Sequence, residues 1–227
     1  MKLFFLIFSI VLAVFLFGLL IKVFKFFRRL ICGNGRGAKI KGSIGETILK
    51  GKLKRYCKKY PYKAAFVQNL ILFLPSGKTT QLDFAFIYKG SVVAIENKHY
   101  KGKTKGARFS PTWNTGFVFK HSSLNAFIQN EGHIAALQRV LPTSYTFINC
   151  VYMSRGKASI SGLLKNDVLG NSFKQMIADI ESKCSYSYNK ETITYAKNIL
   201  SKFKANKELE KQHVASVKAR HGKAVIT

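Results

Sequence analysis

An α/β fold, with a mixed sheet between helical layers, is what this 227-residue sequence predicts. Three observations carry that prediction. Apolar residues recur at helical spacing over 43–60, change to strand-like patterning over 65–100, and return to helical spacing over 125–140. Turn signals at Ser76-Gly77 and Lys89-Gly90 divide the strand-like stretch into three. Hydrophobic residues make up 47% and aromatics 13%, enough for a core and too many for a disordered basic tail. Against that core stand 38 Lys+Arg and 10 Asp+Glu, a formal charge of +28, which calls for an acidic partner: nucleic acid or an anionic membrane surface. Four scattered cysteines with no CxxC pair argue against a disulfide framework or a cysteine-rich zinc site.

The elements follow in order. Residues 3–21 carry no charge; as a helix they would span roughly 28 Å, close to the hydrocarbon thickness of a bilayer. The apolar core of a cleaved signal peptide is usually about 7–15 residues, so a retained transmembrane anchor is expected. Lys22, Lys25, Arg28 and Arg29 follow the span, while only Lys2 and the terminal amine precede it. The positive-inside rule then places the bulk of the chain on the cytoplasmic side of the inner or cell membrane. Residues 31–41 are Gly-rich and basic and read as a linker; no strand precedes Gly33, Gly35 and Gly37, and no Lys-Ser/Thr follows, so they do not make a phosphate loop. A helix is expected over 43–60, with Ile44, Ile48, Leu49, Leu53 and Cys57 on its apolar stripe. Strands are expected over 65–74, 81–88 and 91–100, irregular basic chain over 101–108, and a short strand over 116–120. A helix over 125–140, strands over 145–153 and 158–160, and helices over 172–183 and 190–205 complete the pattern, and the polar, basic stretch 206–227 is expected to fray. The domains are then 1–30 (anchor and basic flank), 31–41 (linker), 42–170 (functional domain) and 171–227 (helical basic extension).

Carboxylates are scarce where the charge is most one-sided. Before residue 131 the only acids are Glu46, Asp83 and Glu96. In such a segment the retained acids are candidates for work that needs negative charge. If Lys89-Gly90 is a two-residue hairpin loop, Tyr88 pairs with Ser91, and the same register sets Asp83 opposite Glu96. Two carboxylates about 4.5–5.5 Å apart on one sheet face repel, and a divalent cation held by both turns that penalty into a binding site. Lys98, two residues beyond Glu96, falls on the same face. A longer loop would shift the pairing.

A further series of short motifs surrounds these residues. Gly42-Ser43-Ile44-Gly45-Glu46 opens a helix. Gln81-Leu82-Asp83 lies on one strand, and Glu96-Asn97-Lys98 on the next, with Gly102 just after it. Trp113 stands beyond, followed by Asn125, Gln129 and His133 at four-residue steps on a helix. Over roughly 41–141 this order and spacing resembles the NERD (nuclease-related) domain, a branch of the PD-(D/E)XK phosphodiesterase superfamily. Leu82 stands where the wider superfamily has Pro, and Ala126 where the family usually has Pro.

The resemblance implies a restriction-endonuclease-like mixed β-sheet flanked by helices. Mg²⁺ or Mn²⁺ would be held by Asp83 and Glu96, with Glu46 a third acidic group. Lys98 would position or deprotonate the attacking water, and Gln129 would contribute from the later helix. Ser43 and Glu46 also have capping-box spacing, a role compatible with site membership. His133 is expected to be structural or substrate-facing rather than a metal ligand, and Trp113 a core residue. Lys50 and Lys54 on the first helix, and Lys101, Lys103, Lys105 and Arg108 after the hairpin, are the expected phosphate-backbone contacts. The leading expectation is a membrane-anchored, metal-dependent nuclease, with DNA favoured over RNA. The alternative is a non-catalytic nucleic-acid-binding membrane protein on the same scaffold. A basic envelope protein bound only to anionic lipid would leave the hairpin acids unexplained.

Overall fold

The computed structural model describes residues 17–18, 21–22, 36–74, 76–116, 121–184 and 190–222. The chain divides into two units, Met1–Ser43 and Ile44–Thr227. In the first unit, residues 17, 18, 21 and 22 are helical, and residues 36–43 begin the helix α1 (Arg36–Lys59). The expected anchor at 3–21 otherwise lies outside the described residues. Among those described, no helix is long and apolar enough to cross a membrane.

The second unit is built on a five-stranded sheet in the order β1 (Ala64–Phe73), β2 (Thr79–Tyr88), β3 (Ser91–Lys98), β7 (Thr146–Met153) and β9 (Asp167–Gly170). The first three strands run antiparallel, and β7 and β9 add in parallel to β3. Pleated strands expose alternate residues to opposite faces, and both faces of this sheet are covered. On one side Leu49 and Leu53 of α1, with Met176, Ile177 and Ile180 of α3 (Phe173–Glu181), pack on Phe84, Phe86, Val93 and Ile95. On the other, Ala136 and Leu137 of α2 (Ala126–Val140), with Ile193, Ala196 and Leu200 of α4 (Lys190–Ser201), pack on Ala85, Ile87, Val92 and Ala94.

A second sheet, in the order β6 (His121–Leu124), β5 (Thr112–Gly116), β4 (Lys103–Ala107) and β8 (Lys157–Ser161), joins the first through an apolar cluster. Trp113, Ala126, Phe127, Val151 and Met153 lie in that cluster. Trp113 is therefore the core residue its type suggests.

Several expected boundaries change. The first helix starts at Arg36 rather than 43, so Ser43 is an interior residue and not the expected cap, and the expected linker is part helical. Residues 101–108 are not irregular: Thr104 is fully buried between exposed Lys103 and Lys105, and that alternation lets β4 pair with β5 on one side and β8 on the other. Part of the expected strand 116–120 lies outside the described residues. Strand β9 was not expected, and 206–227, expected to fray, contains the helix α5 (Lys207–Gly222). Asn206 Oδ1 accepts from the Leu209 backbone N–H at 2.9 Å, and Glu208 and Glu210 occupy the first turn, both favourable at a helix start.

Candidate active site

The hairpin turn positions the two central carboxylates. Lys89 and Gly90 have φ of 45° and 74°. Two successive positive φ values describe a type I′ turn, whose twist suits a two-residue hairpin. The resulting register pairs Tyr88 with Ser91 and continues to Phe84 opposite Ile95. One step further the ladder gives way. The Asn97 backbone N–H donates to Asp83 Oδ2 at 3.1 Å, so the Asp83 side chain takes a hydrogen bond from the neighbouring strand. The strand ends thus hold Asp83 and Glu96 close enough that the Glu96 charge raises the cost of ionising Asp83.

Burial strengthens that coupling. Glu96 is only 5% exposed. Burial, then the Glu96 charge, pushes the Asp83 carboxyl up to about 8. Burial also opposes ionisation of Glu96, but His133 and Lys98 together outweigh it and hold that carboxyl below its ordinary range. Lys98 Nζ donates to Glu96 Oε1 at 2.7 Å and to Gln129 Oε1 at 3.2 Å. Burial disfavours the Lys98 ammonium, yet Glu96, Tyr100 and Asp83 more than offset this and raise its pKa. Lys98 therefore stands as a fixed positive charge in this arrangement.

Helix α2 supplies the second wall. Asn125 caps it, its side chain accepting from the Phe127 and Ile128 backbone N–H groups. One turn on comes Gln129, and one more brings His133, both on the stripe facing β3. His133 is 2% exposed; its Nδ1 lies 2.8 Å from Thr80 Oγ1 and its Nε2 lies 3.6 Å from Glu96 Oε2. Helix α1 brings Glu46 to the exposed rim, where burial and then Glu96 raise its pKa. Glu46, Thr79, Thr80, Gln81, Asp83, Gln129, His133 and His213 share one open cavity of about 480 Å³.

The expected residues Asp83, Glu96, Lys98, Glu46 and Gln129 therefore gather in one region. Thr80 and His213 were not anticipated. Thr80 lies just before the strand expected over 81–88, and His213 comes from α5, far along the chain; its Nδ1 lies 3.0 Å from Thr79 Oγ1. Among the described residues, no three His, Cys, Asp or Glu side chains converge on one point as a preformed metal cage. Yet Glu96 Oε2 is buried and has no hydrogen-bond partner. A carboxylate oxygen in that state, beside a carboxyl whose charge is suppressed, fits a hard cation bound by few protein ligands and completed by water and substrate oxygens.

The expected nucleic-acid contacts separate into two groups. Lys50, Lys54, Lys101, Lys103 and Lys105 are exposed. Arg108 is not; its side chain is 2% exposed, with Nε donating to Asp167 Oδ2 at 2.6 Å and one terminal nitrogen to Glu131 Oε1 at 2.8 Å. Its expectation as a phosphate contact is corrected: two carboxylates from β9 and α2 already neutralise it inside the fold.

Comparison with known proteins agrees with this construction. An uncharacterized protein of Bacillus anthracis is 28% identical over 183 residues, covering 78% of this chain and 83% of that protein. No solved structure matches the chain significantly. Residues 41–154, half of the chain, match the nuclease-related domain, and they contain the hairpin acids, Lys98 and both α2 side chains that face them. The chain belongs to the nuclease-related domain (NERD) family.

Proposed function

We propose that this protein is a metal-dependent nuclease that hydrolyses phosphodiester bonds of nucleic acid, tethered to a membrane by residues 3–21 with its second unit on the cytoplasmic side. The observation that carries the reading is the cluster of half-buried Asp83, buried Glu96 and half-buried Lys98, with Asp83 lining an open cavity, in a chain of charge +28. A purely binding module gains nothing from two opposed carboxylates in a phosphate-attracting groove, because like charges near a polyanion weaken binding.

In this reading Asp83 and Glu96 hold Mg²⁺ or Mn²⁺. When bound, the ion supplies Lewis acidity and a more acidic water. The protein's own groups do the rest. Asp83 must lose its proton to bind a cation, and the Asn97 N–H donated to Oδ2 stabilises the charge that results. Lys98, its ammonium favoured by Glu96, neutralises charge building on phosphate oxygens; it is a positioning cation rather than the base that deprotonates water. Gln129 orients the Lys98 ammonium through its 3.2 Å hydrogen bond. Glu46, at the rim with a raised pKa, is suited to hand a proton to or from bound water. Lys101, Lys103 and Lys105 on and before β4, with Lys50 and Lys54 on α1, lie exposed for backbone phosphates, with DNA favoured over RNA.

The test is to incubate the full chain in detergent with plasmid DNA and, separately, RNA, with Mg²⁺, Mn²⁺ or chelator. Cleavage requires the divalent ion and disappears in Glu96→Gln, while nucleic-acid binding persists. Tight binding without cleavage under either ion replaces this reading with a non-catalytic binding protein.

A further inference from the structure

The carboxylate of Glu96 has two differently occupied oxygens. Oε1 receives the Lys98 ammonium at 2.7 Å; Oε2 has no hydrogen-bond partner although it is buried. The imidazole of His133 is divided in the same way. Nδ1 lies 2.8 Å from Thr80 Oγ1, whereas Nε2 is buried and likewise without a hydrogen-bond partner. The two unsatisfied atoms belong to side chains only 5% and 2% exposed and face each other at 3.6 Å.

That distance excludes a close hydrogen bond and leaves a loose contact between imidazole and carboxylate. A hydrogen bond from nitrogen to oxygen spans about 2.7–3.2 Å, so 3.6 Å is too long for one. Two donors each about 2.1 Å from one ion, at an angle of 90–110°, lie about 3.0–3.4 Å apart. The observed spacing is within a few tenths of an ångström of that range. Thr80 completes the argument from the far side of the ring. When its hydroxyl accepts from Nδ1–H, the Nε2 lone pair faces Glu96, and this outer contact is the usual means of fixing the tautomer of a metal-ligating histidine. Access is provided because His133 lines the same cavity as Asp83 and Gln129.

We propose that His133 Nε2 is a metal ligand, sharing with Glu96 Oε2 the divalent cation of the site, and that this imidazole makes the site prefer Mn²⁺ to Mg²⁺. The proposal rests on the metal-dependent reading above and sharpens it. Mg²⁺ favours oxygen ligands and tolerates nitrogen poorly, whereas a transition-metal ion accepts imidazole. His133, expected from sequence to be structural or substrate-facing, thereby becomes the selectivity-determining ligand. Asp83, water and substrate oxygens fill the remaining positions.

The full chain in detergent, loaded with one equivalent of Mn²⁺, is examined by pulsed electron paramagnetic resonance for directly coordinated nitrogen. Metal affinities are read in parallel by calorimetry. Wild-type protein is expected to show the nitrogen coupling and to bind Mn²⁺ more tightly than Mg²⁺; His133→Ala loses the coupling and the preference. Thr80→Val, which keeps the imidazole but removes its orienting partner, is expected to lower Mn²⁺ affinity about 10-fold and leave Mg²⁺ affinity nearly unchanged. Bound Mn²⁺ without nitrogen coupling in the wild type, or coupling that survives in His133→Ala, overturns the His133 assignment and leaves the metal-dependent reading standing. Absence of any Mn²⁺ or Mg²⁺ binding removes both.

Discussion

Asp83 and Glu96 illustrate how one sheet face can separate the behaviour of two similar side chains. Glu96 is buried and Asp83 half-buried, but Glu96 has Lys98 and His133 beside it, while the chief neighbours of Asp83 are other acids. Glu96 therefore holds the negative charge, and Asp83 retains its proton up to about pH 8 when no cation is bound. The consequence for stability has a definite sign. A carboxyl with a folded pKa near 8 and an ordinary value of 3.8 binds more protons in the native state throughout that interval. Its contribution is fully present below the lower value and is lost as pH rises through the upper one. In chelator, Asp83→Asn is thus expected to flatten the decline of melting temperature between about pH 5 and pH 8 and to raise it at pH 8. Thermal denaturation across that range is the measurement; an Asp83→Asn protein that declines as steeply as wild type contradicts the assignment. At this scale the acids and Lys98 were legible in the sequence because so few carboxylates survive among so many cations. Thr80 was not, since nothing local marks a threonine whose partner lies on a helix more than fifty residues away.

The elements that place these groups differ in how much of their geometry is local. The Lys89-Gly90 turn is local, and a two-residue loop between strand-like runs was enough to fix the register of β2 on β3. Helix α1 depends on a contact that sequence does not announce. A Cβ on Gly45 would lie 2.8 Å from Asn97 Nδ2, His99 Cβ and Ser154 Oγ, so only glycine lets the helix sit this close to the end of β3 and carry Glu46 to the cavity. Strand β4 left a faint signal in its Lys-Thr-Lys alternation, masked by glycines at Gly102 and Gly106. The C-terminal helix α5 left another, Asn206 with acids in the following turn, which its high Lys content obscured. Arg108 could not be placed from sequence because its partner Asp167 arrives from a distant strand. Buried charges cost heavily when one partner goes. Arg108→Ala is accordingly expected to destabilise the fold by about 3–5 kcal/mol in urea denaturation, by leaving Asp167 buried and unpaired. Stability within 1 kcal/mol of wild type would return Arg108 to the solvated surface.

Across the whole molecule, charge and chemistry are segregated. Acids concentrate after residue 130; before it they occur only at Glu46, Asp83 and Glu96, in the region of the site. Up to residue 130, a polyanion drawn by exposed lysines would meet negative side chains only at Glu46, Asp83 and Glu96. Each phosphate contact releases counterions, so Lys105→Ala is expected to lower the slope of log affinity against log salt by about 1 on DNA. An unchanged slope would remove Lys105 from the interface. The fold class and the family were legible because periodicity and the order of short motifs are both carried along the chain. The second sheet and the C-terminal helix were less so, because their short, polar segments gain their order from distant partners. The central claim, that the hairpin group hydrolyses phosphodiesters, is tested most directly by single-turnover cleavage of a labelled DNA with saturating Mn²⁺, comparing wild type with Lys98→Met. The account predicts that the rate constant falls at least ~100-fold, the loss typical when one charge-stabilising group is removed, with DNA affinity little changed; equal rates would contradict it.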